Sequence, residues 1–211
     1  MIKKVIKKIL GQNKFDSLNY WEQRYANGGN SGDGSYGRLS LFKAEFINNF
    51  IKENRINSAT EMGCGDGHQL SIIEYSKYIG LDVSKTIVDH CRDKFMEDKS
   101  KRFEVYNPVD FIPIDSLRSE LALSLDVIYH IIEERKYIKH LEDLFGLGKK
   151  YVLIYSTNFN LSETQHVLHR KFTDDVKYFK DWEFIKEFKN PFSGIGEQES
   201  QANFYLYKKL D

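Results

Sequence analysis

Two cysteines in 211 residues are too few for a disulfide framework, and Cys64 and Cys91 lack metal-ligand spacing. The default compartment is a reducing cytoplasm. Lys+Arg 31 against Asp+Glu 31 leaves no net charge. That argues against a protein whose main partner is bulk nucleic acid, because phosphate-driven binding draws on a basic excess. No apolar run reaches the length of a membrane span, no secretory signal is visible, and no internal repeat is evident. What remains is an ordinary globule, 41% hydrophobic and 29% charged, long enough for one substantial core.

Where glycine gathers it carries information. Thr60-Glu61-Met62-Gly63-Cys64-Gly65-Asp66-Gly67 follows a strand-like run and precedes a helix-like one. Closely spaced glycines permit a sharp turn and let backbone approach a ligand. The spacing Gly63-x-Gly65-x-Gly67 is tighter than the Gly-x-Gly-x-x-Gly of dinucleotide sites, which disfavours a nicotinamide dehydrogenase. Glu61, just before the turn, would repel a phosphate but suits a cationic, phosphate-free adenosine ligand. Asp82 ends the next buried strand, Tyr78 to Val83, placed to accept hydrogen bonds from both hydroxyls of a ribose.

The remaining pattern alternates. A helix is expected over Leu39 to Glu53, with Leu41, Phe42, Phe46, Ile47 and Phe50 as its apolar stripe. Strands follow near 56–62, 78–83, 102–107, 121–126 and 150–155, with helices near 67–76, 84–96 (Ser84 as N-cap), 115–119, 130–145 and 173–180. Gly146 and Gly148 read as the stop after the fifth helix. Strands near 182–189 and 202–209 close the chain as an antiparallel edge hairpin. Alternating βα units give a doubly wound, mostly parallel Rossmann-like sheet. Residues 39–211 would form this domain. Residues 1–38 would form an N-terminal helix plus a glycine-rich lid, in which five glycines between Gly28 and Gly37 are flanked by Trp21, Tyr25 and Tyr36. Residues 1–10 place Ile2, Val5, Ile6, Ile9 and Leu10 on one helical face and four lysines on the other. This pattern fits packing on the domain or a partner subunit, or contact with an anionic membrane surface.

On Glu61-x-Gly63-x-Gly65-x-Gly67 and Asp82 the chain resembles the class I S-adenosylmethionine-dependent methyltransferases, and its element order from residue 39 is similar to their seven-stranded fold. The resemblance implies S-adenosylmethionine as cofactor, S-adenosylhomocysteine as product, and a set of binding residues. These are Glu61, Gly63, Cys64, Gly65, Gly67, Asp82 and Val83, then Asn107 or Asp110 for the adenine, Ser124 and Leu125 for the methionine part, and Trp21 and Tyr25 from the segment before the first motif. The family usually carries an acid after the third strand, so Asn107-Pro108 leaves that assignment open. Asp126 would bind the cofactor ammonium or face the acceptor. His130 resembles the histidine that many small-molecule methyltransferases carry after the fourth strand, where a neutral imidazole takes a proton from a hydroxyl. Glu133 and Glu134 would orient it. Tyr36, His166, His169 and Arg170 are the candidate acceptor contacts, the last three as an anion-binding cluster. His166-x-x-His169 has no identifiable third ligand, so no metal is expected. No Asp/Asn-Pro-Pro-Tyr/Phe follows the fourth strand, as it would in amino-methylating DNA enzymes. No Pro-Cys pair is present to attack a pyrimidine, and no acid cluster suggests a magnesium-dependent catechol-type enzyme. The expectation is a small-molecule or saccharide-type acceptor. The alternatives are a protein, lipid or RNA acceptor, or a catalytically silent adenosine-binding subunit.

Overall fold

The computed structural model describes residues 15–194 and 199–210. The basic segment 1–10 lies outside them. Two helices precede the sheet, α1 (Ser17–Ala26) and α2 (Gly37–Asn54). The strands β1 (Ala59–Met62), β2 (Tyr78–Asp82), β3 (Lys101–Val105), β4 (Ser119–Leu125) and β5 (Gly148–Ser156) alternate with α3 (Lys85–Lys94) and α4 (Glu134–Leu147). A hairpin of β6 (Leu161–Thr164) and β7 (Val167–His169), the single turn α5 (Thr173–Val176), β8 (Trp182–Phe188) and β9 (Asn203–Lys209) complete the chain.

Seven strands form one sheet in the order β3-β2-β1-β4-β5-β9-β8. The first five pair in parallel, and β9 runs antiparallel between β5 and β8. The order reverses between β1 and β4, and ligands of open α/β sheets bind beyond the carboxyl ends of strands at such a point. Glu61, Asp82 and Leu125 stand at or next to those ends.

Period-two alternation divides the strands between two cores. Leu121, Leu123, Leu153 and Tyr155 face α2 and α3 through Ala44, Ile47, Phe50, Val88 and Cys91. Ala122, Val152, Ile154, Tyr205 and Tyr207 face α4 through Tyr137, Leu141, Leu144 and Phe145. Sheet and helices thus make three layers.

Four local expectations change. Residues 68–76 form turns and one 3₁₀ turn (Leu70–Ile72) instead of a helix. Leu70, Ile73 and Tyr75 are all buried at spacings of three and two, which no helical face accommodates. On α2 the buried face is Leu39, Ser40, Lys43, Ala44, Ile47 and Phe50, so the stripe is rotated and Leu41 stands 62% exposed. Gly146 stays inside α4, packed against Pro113, and Gly148 already begins β5. The β6–β7 hairpin, where no strand was expected, follows β5. Ser84 caps α3 as expected, accepting from the Ile87 amide at 3.2 Å.

Candidate active site

The glycine turn after β1 is built by conformation. Gly63, Gly65 and Gly67 have φ of +86°, +55° and +68°. A Cβ on Gly63 would lie 2.4 Å from Val127, one on Gly65 2.3 Å from Ser31 Oγ, and one on Gly67 2.7 Å from Phe95. The turn is therefore crowded from three sides, by the β4 loop, the glycine-rich loop and the end of α3. Asp82 ties it to β2: its carboxylate accepts the Gly65 and Ser84 amides, each at 3.0 Å. Burial nevertheless pushes the Asp82 carboxyl up to about 6.

A cavity opens beside this turn, lined by Glu61, Gly63, Cys64, Gly65, Asp82 and Val83 from the first two strand ends and by Leu125, Asp126, Val127 and His130 from the β4 side. Trp21 and Tyr25 of α1 roof it. Helix α1 is held there at both ends. Ser17 bonds Glu133 through its amide (3.0 Å) and hydroxyl (2.5 Å), and Glu22 accepts the hydroxyls of Ser84 (2.6 Å) and Thr86 (2.5 Å).

The glycine-rich loop lies against the same turn. Ser31 N donates to Asp66 Oδ2 at 2.9 Å, the Asp66 amide donates to Ser31 Oγ at 2.9 Å, and Tyr36 donates its hydroxyl to Asp66 Oδ2 at 2.5 Å. Tyr36 thus fastens the loop, stacked on His68 at 4.5 Å, and does not line the cavity.

Glu61 is buried, accepts the Tyr78 hydroxyl at 2.7 Å, and is pushed up to about 7 by desolvation. Lys43, one of the fully buried side chains, donates to Asp126 Oδ2 at 2.6 Å, while Tyr129 donates to Oδ1 at 2.8 Å. Asp126 sits at φ +59°, a conformation costing a non-glycine residue about 1–2 kcal/mol. Both of its oxygens carry a partner. Asp126, expected to bind the cofactor ammonium or to face the acceptor, lines the cavity as the anchor of a buried ion pair.

His130 lies in a 3₁₀ turn (Ile128–His130), before α4 and not inside it. Its Nδ1 faces the His166 carbonyl oxygen at 3.2 Å. A carbonyl only accepts, so Nδ1 carries the proton and Nε2 of the neutral ring is the acceptor. Desolvation holds the imidazole down to about 4. Its orienter is thus a backbone carbonyl. Glu133 is taken by Ser17 and Lys136, and Glu134 pairs with Arg170.

Other expected contacts fall elsewhere. Asn107 and Asp110 are exposed, and Asn107 Oδ1 accepts the Val109 amide at 3.1 Å, closing a turn. Tyr106 and Pro108 line the cavity in their stead. Ser124 does line up at the end of β4 but faces α4, bonded to His140 Nε2 at 3.0 Å. Arg170 is a strut, donating to the Ile131 and Ile132 carbonyls at 2.8 Å each. His169 is buried against Thr157 at 2.7 Å, and His166 stacks on Tyr20 at 5.1 Å. The anion-binding cluster is not assembled, and the His-x-x-His pair spans a turn and a strand, not a helix. Among the lining residues not anticipated are Lys43, Gln69, Tyr106 and His140. Lys43 alone left a signal, standing four residues from both Leu39 and Ile47 on one helical face.

The lining suits an adenosyl amino acid. Asp82 has lone pairs beyond those used by two amides, for hydroxyl donors. Gln69 Oε1 is buried without a hydrogen-bond partner, its amide nitrogen already donating to the Ser40 carbonyl. With Glu61 it adds acceptors to the lining, as an ammonium group needs.

This strand order with a single inserted antiparallel strand is the class I methyltransferase fold. Solved structures agree. The N-methyltransferase NodS from Bradyrhizobium japonicum, in complex with S-adenosylhomocysteine, superposes with TM-score 0.72 at 9% identity, covering 93% of this chain and all of that one. The magnesium protoporphyrin IX methyltransferase ChlM from Synechocystis, with the same ligand bound, gives 0.62 at 11% identity over 98% of this chain and 99% of that one. By sequence, a tRNA (carboxymethyluridine(34)-5-O)-methyltransferase of Arabidopsis thaliana is 26% identical over 123 residues, 58% of this chain. The chain matches only 29% of that relative's length. No family model matches.

Proposed function

We propose that the chain is an S-adenosylmethionine-dependent methyltransferase acting on a small-molecule or saccharide-type acceptor. The observation that carries the reading is the buried Asp82 carboxylate, locked to the Gly65 amide in a cavity also lined by Glu61 and by Gln69, whose Oε1 is unpartnered. When bound, the cofactor supplies an electrophilic methyl group. Asp82 accepts the ribose hydroxyls, Trp21 and Tyr25 exclude water, and Glu61 with Gln69 receives the ammonium. His130 Nε2 accepts a hydrogen bond from an acceptor hydroxyl and takes its proton as the oxygen becomes an ether. A base held near 4 acts only as the methyl transfers, so positioning carries most of the rate.

Titration calorimetry with S-adenosylhomocysteine tests this. Wild type binds it, and Asp82→Asn binds it about 10- to 100-fold more weakly, as expected for losing a charged hydrogen-bond acceptor. No binding by a folded wild type would refute the proposal. The Arabidopsis relative favours a second reading, an RNA acceptor. Zero net charge speaks against it, and salt-sensitive retention of tRNA on filters would establish it.

A further inference from the structure

The β6–β7 hairpin stands apart from the main sheet, as a two-stranded sheet of its own. Leu161, Ser162, Thr164 and Gln165 are exposed on it, and its described residues take no part in the two cores. What the hairpin grips is the turn that carries His130. The His166 carbonyl oxygen accepts from His130 Nδ1 at 3.2 Å. Arg170, directly after β7, donates to the Ile131 and Ile132 carbonyls at 2.8 Å each, the two residues that follow His130. A planar fork suits two neighbouring acceptors, and this one stands over the buried Tyr137 ring at 4.2 Å.

Rings add a second grip. His166 stacks on Tyr20 of α1 at 5.1 Å and 20°, and lies parallel to His130 at 6.2 Å and 5°. His169 packs on Tyr129, the residue before His130, at 5.5 Å. Neither His166 nor Arg170 lines the cavity, whereas His130 does. From the other side Ser17 Oγ accepts the Ile132 amide at 3.1 Å, so losing a hairpin contact loosens the turn without unfolding it.

A neutral imidazole carries its one proton on either nitrogen, and the partner of one nitrogen decides which. With the carbonyl displaced from Nδ1, part of the population moves its proton to Nε2. That nitrogen can then no longer accept from a hydroxyl. We propose that the β6–β7 hairpin sets the tautomer of His130 and keeps Nε2 bare, with His166 and Arg170 as positioning residues that act through His130. This role rests on the reading of His130 as base, yet the state of the ring is measurable without an acceptor.

The test is a long-range proton–nitrogen correlation spectrum of the full chain carrying isotopically labelled histidine, at about pH 7.5, where a neutral ring is observed. The chain has 6 histidines, and His130→Gln identifies the pattern of His130 by its loss. Wild type is expected to show His130 protonated at Nδ1. His166→Ala removes the stack on Tyr20, and Arg170→Met removes both carbonyl bonds. Each should lower the ratio of this tautomer to the other about fivefold, the equivalent of one lost hydrogen bond. His166→Phe keeps a ring on Tyr20 and should show the wild-type pattern. Phe50→Leu, in the core on the α2 side of the sheet, should lower the melting temperature and leave the pattern unchanged. Wild-type His130 protonated at Nε2 overturns the proposal. So does a folded His166→Ala or Arg170→Met with the wild-type pattern, or a Phe50→Leu that shifts it as far, which would mean general loosening. Calorimetry with S-adenosylhomocysteine on the same wild-type sample keeps the readings apart: absence of binding counts against the methyltransferase reading, while the spectra still decide the hold on His130.

Discussion

Replacing Gly65 by alanine separates two reasons for the glycine. The first is backbone: at φ +55° an L-residue costs about 1–2 kcal/mol. The second is contact. The new Cβ would stand 2.3 Å from Ser31 Oγ, so Ser31 must leave. Ser31 Oγ accepts the Asp66 amide at 2.9 Å and meets the Tyr25 hydroxyl at 3.2 Å. At about 1 kcal/mol each, their loss adds about 2 kcal/mol. Gly65→Ala should thus cost about 3–4 kcal/mol, lowering the melting temperature by roughly 10 °C in a chain of this size. Ser31→Gly has already surrendered both hydrogen bonds, so in that background Gly65→Ala should cost only the backbone part, about 1–2 kcal/mol. Urea denaturation of the four proteins gives the coupling. Protease cleavage within residues 27–35 should quicken in Gly65→Ala, because the loop loses its fastening. If Gly65→Ala costs the same with and without Ser31, the loop does not rest on the glycine turn and the reasoning fails.

Three further outcomes are expected. Glu61 has a carboxyl raised from 4.5 to about 7 in the folded chain, chiefly by desolvation, so the fold holds its proton more tightly than the unfolded chain does. Its contribution is full below about 4.5 and is lost as pH rises through 7. Glu61→Gln should therefore stabilise the protein at pH 8, by up to about 3 kcal/mol, and flatten urea stability between pH 5.5 and 8; an unchanged slope would contradict this. His130→Ala should lower turnover on the true acceptor by about 10²-fold or more with S-adenosylhomocysteine affinity unchanged, and the wild-type rate should show no inflection from His130 between pH 5.5 and 8, its ring being neutral throughout. Arg170→Met should destabilise by about 2 kcal/mol, from the lost charged bonds to the Ile131 and Ile132 carbonyls, and leave the salt dependence of acceptor affinity as in wild type; a changed salt dependence would restore an anion-binding role.

What was legible in the sequence was what repeats or strains. Strand alternation exposed the sheet, closely spaced glycines exposed the turn after β1, and Asp82 was legible because an acid at the tip of the next strand, about 20 residues on, stands beside that turn. Side-chain partnership was not legible. Lys43 and Asp126 are 83 residues apart, and nothing local tells a buried ion pair from a solvated lysine and a free carboxylate. Arg170 looked like an anion site because composition shows a guanidinium but not the two carbonyls it meets. The lost helix after the glycine turn had hydrophobic content but not helical spacing: Leu70, Ile73 and Tyr75 needed the period read strictly.

The attachments of α1 have a consequence for how the protein is made. Asp16 is held by Lys136, 120 residues on, and Ser17 by Glu133, 116 residues on. At about 5–20 residues per second, the helix leaves the ribosome roughly 6–20 s before its partners on α4 exist. Contacts of such separation also carry the largest loop-closure cost. The element carrying Trp21 and Tyr25 is therefore synthesised first, meets α3 through Glu22 early, and has its N-terminal end seated only once α4 exists. A nascent chain stalled before residue 130 would hold this roof by Glu22 on Ser84 and Thr86 alone, with its N-terminal end unfastened.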